Sequence, residues 1–142
     1  MSSPPKNIST SPDDPSKRAL ILMVERNPAV QRLERFFLEQ AGYVVEFASD
    51  GLAALARTQE LRPKIVVTEI LVPRLDGLSL CRALKSDPLT SSIVVLIFSH
   101  LHAEDRALEA GADAFMVKPI KEEKLIDIVS KLLKISKEGT GA

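Results

Sequence analysis

Apolar residues recur along this chain at two spacings. Five short runs are nearly unbroken and rich in β-branched and aliphatic side chains: ALILMV at 19–24, YVVEFA at 43–48, IVVT at 65–68, SIVVLIFS at 92–99 and AFMV at 114–117. Each is too short for a helix and reads as a strand. Between the runs apolar positions fall three or four apart, the spacing of one helix face. Asn27 and Pro28 offer a cap and a first-turn proline for a helix over 28–41, with Val30, Leu33, Phe37 and Ala41 on its inner face and Gly42 as its stop. Asp50-Gly51 opens a second helix through 60, halted at Arg62-Pro63. A third follows Gly77, turns Leu78, Leu80, Cys81 and Leu84 inward, and ends before Asp87-Pro88. A polar loop at 100–103 leads to a short helix ended by Gly111, and a closing helix runs over 121–135.

Five strands alternating with five helices demand right-handed crossovers, which predicts an α/β fold with one parallel sheet covered on both faces. The domain is expected over 18–135. Residues 1–17 hold four of the nine prolines among Ser, Thr and Asp and read as a disordered tail, and 136–142 as a second short tail. A parallel sheet brings every strand's carboxyl end to one edge, where open α/β sheets place their sites. That edge gathers Glu25 and Arg26, Glu69, Ser99 and Lys118, residues scattered over nearly the whole domain. The stretch KIVVTEILVPRLDG at 64–77 is its centre, a buried strand ending on the Glu69 carboxylate and followed by a loop closed with Asp76-Gly77.

Composition narrows the function. With 19 basic and 19 acidic side chains in 142 residues, no bulk field draws the chain to nucleic acid or anionic membrane. No apolar stretch nears the roughly 18 residues of a membrane span, and the start lacks the layout of a secretion signal, so a cytoplasmic protein is expected. The single Cys81 sits in an apolar helical pattern and reads as a small core residue. His100 and His102, in a polar loop without neighbouring acids, read as surface.

Taken together, the charged strand ends resemble the receiver domain of two-component response regulators over 19–135. The resemblance rests on the acidic end of the first strand, the acid closing the third and the PRLDG that follows, Ser99, GADAF ahead of the fifth strand, and Lys118-Pro119. It implies a flavodoxin-like, CheY-like fold of strand order 2-1-3-4-5 and a cis peptide at Lys118-Pro119. It also implies phosphorelay signal transduction: an aspartate at position 69 accepts a phosphoryl group from a histidine kinase and acids at 25 and 26 hold magnesium. Lys118 then pairs with the phosphoryl oxygens, and Ser99 and Phe115 shift as the switch.

Two positions depart from that pattern. Position 69 is Glu, whose extra methylene pushes the carboxylate outward by roughly 1.5 Å, and the second acidic position is Arg26. In-line phosphoryl transfer tolerates little such misplacement. Glu25 and Glu69 are balanced by Arg26 and Lys118, so the pocket no longer invites a hard divalent cation. Arg26 is expected either to bridge Glu69 or Glu25 in the metal's place or to swing into solvent.

The expectation is a degenerate pseudo-receiver with no catalytic residue, no metal and no cofactor. It would work through a protein partner, whether histidine kinase, output protein or second copy, with no nucleic acid, membrane or small-molecule substrate. The pocket is expected to rest in one state resembling the activated form. A conventional phosphoacceptor receiver is the alternative; a flavin-binding relative is disfavoured by the absence of a Ser/Thr/Gly-rich phosphate loop after the first strand. The resemblance implies that the face over 103–135, made by the helix after Ser99, the fifth strand and the closing helix, carries the signal to partners or a second copy; in the closing helix Leu125, Ile128, Val129 and Leu132 form a stripe for the sheet, leaving Ile126 and Leu133 on an adjoining face as the expected contact.

Overall fold

A computed structural model describes residues 19–141, with side chains over 19–135. Five strands, β1 (Leu20–Val24), β2 (Val44–Ala48), β3 (Ile65–Glu69), β4 (Val94–Ser99) and β5 (Ala114–Val117), alternate with five helices. These are α1 (Pro28–Gln40), α2 (Gly51–Leu61), α3 (Gly77–Ser86), α4 (Glu104–Glu109) and α5 (Glu122–Gly141). The sheet is parallel throughout in the order β2-β1-β3-β4-β5, the flavodoxin-like arrangement. The tail expected over 1–17 lies outside the described residues.

Alternation along the strands divides the core in two. Leu22, Val24, Val66, Val95 and Ile97 face α2, α3 and α4, meeting Ala54, Leu80, Cys81, Leu84 and Ala107. Ile21, Met23, Ile65, Val67, Leu96 and Phe98 face α1 and α5, meeting Leu38, Val129 and Leu133. Burying each large aliphatic side chain contributes about 1.5–3 kcal/mol. Three helices open on side-chain caps: Asn27 accepts from the Ala29 amide at 2.9 Å, Asp50 from Ala53 at 2.8 Å and Asp76 from Ser79 at 2.9 Å.

The inner face of α1 differs at one position from the one expected. Leu33 is 47% exposed and Leu38 is 1% exposed, with Glu34 turned toward the core. Val30, Phe37 and Ala41 are partly buried as expected, while Glu34 and Leu38 turn inward in place of Leu33, Leu38 joining the core with Met23 and Val45. The partner patch expected on α5 is also corrected. Leu133 is 5% exposed and Ile126 packs partly buried beside Val129, since α5 crosses its sheet face with a stripe wide enough to take in both sides. The helix runs on through Gly141 instead of ending near 135, each further residue adding a backbone hydrogen bond to a helix already nucleated.

Two glycines clamp the segment between β3 and α3. A Cβ on Gly77 would stand 2.1 Å from the Glu69 carbonyl oxygen, and one on Gly51 1.7 Å from that of Leu75. The Gly77 amide donates to Ile70 and the Gly51 amide to Pro73, so the loop is tied at both ends and the end of β3 is held in place.

Candidate functional site

The carboxyl edge of the sheet opens into a cleft of about 420 Å³. Glu25 and Arg26 follow β1, Glu69 closes β3 and Lys118 follows β5; all four line the cleft, together with Leu71, Val72 and Pro73 of the β3–α3 loop. The fold thus unites four of the five charged or polar strand-end residues. Ser99 is not among the lining residues: it is 3% exposed and its Oγ accepts from the Leu101 amide at 3.1 Å. A hydroxyl at a strand end readily satisfies the next loop's free N–H, and that local bond holds it out of the cleft.

Lys118 and Glu69 form an ion pair, each side chain about a quarter exposed. The ammonium also sits 4.8 Å from the centroid of the Phe98 ring, a cation–π position. The backbone carries Lys118 there: its amide donates to the Ser99 carbonyl at 2.8 Å, and the Lys118-Pro119 peptide is cis. Glu69 therefore already has a cation as partner. Glu25 is engaged locally, its Oε2 accepting from the Asn27 amide at 3.0 Å and its carbonyl from the Gln31 side chain.

The bridging role considered for Arg26 is not found. Arg26 is exposed at the rim, and among the described residues no ion pair joins it to Glu25 or Glu69. With Lys118 already on Glu69, drawing a second cation inward would strip a hydrated guanidinium for little return. Phe115, the other expected switch residue, is half-buried against the core beneath α4 and lines a separate surface hollow with Ala103 and Val117. His100 and His102 are exposed. Burial pushes the Cys81 thiol up to about 11 and keeps it from acting as a nucleophile.

One functional group escaped the sequence reading. Glu34 of α1 lies close enough to the cleft to feel both Glu25 and Lys118. Burial first, and repulsion from Glu25 second, push its carboxyl up to about 8 against an opposing pull from Lys118. It is thus mostly protonated at neutral pH. The available signal was an acid four residues after Val30 and four before Leu38, on the face that helical spacing turns inward.

The magnesium ion that the resemblance implies fits these residues poorly. The second acidic position carries a cation, Glu69 is held by Lys118 and Glu25 by a backbone amide. Among the described residues no group of three or more His, Cys, Asp or Glu side chains is arranged to hold a metal ion. Nor is any helix of the described residues long and apolar enough to cross a membrane.

Comparison with known proteins is consistent over most of the chain. The family model described as response regulator receiver domain matches residues 21–130. The response regulator MprA of Mycobacterium leprae is 38% identical over 123 residues, which are 86% of this chain but 54% of that protein; the chain spans about half of that relative's length. The signal receiver domain of a histidine kinase from Syntrophus aciditrophicus superposes with a TM-score of 0.76 at 34% identity, over 82% of this chain and 90% of that one. A sensor histidine kinase receiver domain from Pseudomonas aeruginosa, solved with magnesium coordinated in its active-site cleft, gives 0.75 at 25% identity, over 82% and 98%.

Proposed function

This chain belongs to the response regulator receiver domain family, and from that premise we propose that it is a pseudo-receiver, signalling through a protein partner without being switched by aspartyl phosphorylation. The observation that carries this reading is the Lys118–Glu69 ion pair. Where the family's pattern has an aspartate to be phosphorylated and a lysine awaiting the phosphoryl oxygens, this chain has a longer acid already paired with that lysine. The phosphorylated state of a receiver is held by such an anion–lysine contact; here one is present from the start, with one negative charge in place of about two.

The charge balance supports the same reading. Two carboxylates, Glu25 and Glu69, face two cations, Arg26 and Lys118, while Glu34 holds its proton at neutral pH. Such a pocket offers no excess negative charge to a hard divalent cation. The chain then catalyses no phosphoryl transfer of its own and works in the cytoplasm as a binding module for a histidine kinase, an output protein or a second copy. Magnesium tests this directly. A ligand that does not bind the native state cannot stabilise it, so millimolar magnesium should leave the melting temperature unmoved. A saturable, magnesium-dependent rise would contradict the neutral pocket.

A further inference from the structure

A second cavity, of about 280 Å³, lies between α1 and α5 and shares Glu25, Val30 and Lys118 with the cleft. Its walls are mostly apolar, formed by Phe37 and Leu38 of α1, Phe98 of β4, and Leu125 and Ile126 of α5. Glu34 lines it, and Glu34 Oε1 is buried with no hydrogen-bond partner among the described residues. A buried acceptor without a donor is a costly feature to retain. The other charged or titratable groups around the cavity are Glu25 beyond β1, His100 beyond β4, Lys118 beyond β5 and Glu122 of α5. Lys118 is committed to Glu69 and the Phe98 ring, and Glu25 to the Asn27 amide. What is left is a hydrophobic hollow with one unmatched carboxyl oxygen and an acidic surround.

We propose that this cavity binds a small organic cation, an amidinium or primary ammonium on an apolar body of about one ring, with the Glu34 carboxyl releasing its proton to water as the cation enters and so becoming its anionic partner. An inorganic ion would meet too few oxygens among the described residues to replace its water. An organic cation brings apolar surface for the walls and paired N–H donors for the carboxylate. The volume, at the small end for ligand pockets, limits the body to a single ring. This inference is independent of whether the chain is phosphorylated.

The test is a backbone-amide NMR titration of the full chain with benzamidine and with benzamide, its neutral near-isostere. Benzamidine should shift the amides of Glu34, Phe37, Ile120, Leu125 and Ile126 saturably, and benzamide should bind roughly tenfold or more weakly for want of the charge-assisted contact. Glu34→Gln should weaken benzamidine to the level of benzamide and leave benzamide unchanged. Leu125→Phe, which narrows the cavity without touching a charge, should weaken both probes. Equal binding of the two probes, or benzamidine binding indifferent to Glu34→Gln, would overturn the proposal.

Discussion

One methylene separates Glu69 from an aspartate, and one reversal of charge separates Arg26 from an acid; on the proposed reading the behaviour of the pocket turns on both. Restoring them tests whether they act as a unit. Arg26→Asp with Glu69→Asp should recover magnesium binding, visible as stabilisation of about 2.7 kcal/mol at a hundred times the dissociation constant. Each single change should recover less than half of that, because the two carboxylates share one ion and their effects are non-additive. Additive singles would show that the positions are uncoupled. Glu34 makes a separate forecast at this scale. Its folded value of about 8 lies above the ordinary 4.5, so the folded state holds the proton more tightly than the unfolded chain. The stabilisation is fully present below about pH 4.5 and is lost as pH rises toward 8. Denaturant titrations should show stability falling by about 1 kcal/mol per pH unit across that window. Glu34→Gln should flatten the fall; an unchanged slope would place the titrating group elsewhere.

Among the elements, the loop between β3 and α3 is held by backbone contact at Gly77 and Gly51 as well as by the packing of Ile70, Val72 and Leu75. Gly77→Ala would drive a methyl into the Glu69 carbonyl and should destabilise by about 1–3 kcal/mol, the usual range for overpacking; denaturant unfolding measures it, and a neutral result would mean the end of β3 moves freely. All five strands and their single parallel sheet were legible in the sequence, because uninterrupted runs such as IVVT and SIVVLIFS leave few alternatives to a strand buried on both faces. The convergence of Glu25, Glu69 and Lys118 followed from parallel topology alone. Helix faces were less legible. In α1, adjacent apolar residues at Leu33, Phe36, Phe37 and Leu38 permit more than one inner face, and the choice depends on what Met23 and Val45 present from the sheet. In α5 the apolar positions are so many that spacing could not say where the buried stripe ends. The turning of Ser99 toward the Leu101 amide depends on loop conformation, which carries no periodic signal.

Over the whole molecule, the burial of Leu133 narrows the partner face expected over 103–135 toward its α4 and β5 side. Leu133→Ala should cost about 2–5 kcal/mol as a core truncation, whereas Leu108 at 47% and Val117 at 38% exposure lie on the α4–β5 side with room for contact. Leu108→Glu with Val117→Lys should leave stability within about 0.5 kcal/mol yet abolish capture of the partner or self-association, read by pull-down and sedimentation. Retained binding in the folded double variant would move the interface elsewhere. Both outcomes bear on how the signal leaves the domain; whether a phosphoryl group enters it is the deeper question. The measurement that decides it is the intact mass of the chain after incubation with a small phosphodonor and magnesium, run beside the Arg26→Asp, Glu69→Asp double variant. The natural chain should keep an unmodified mass, and the double variant should gain a phosphoryl adduct. An adduct on the natural chain, mapped to Glu69 or to any other acid of the cleft, would contradict it.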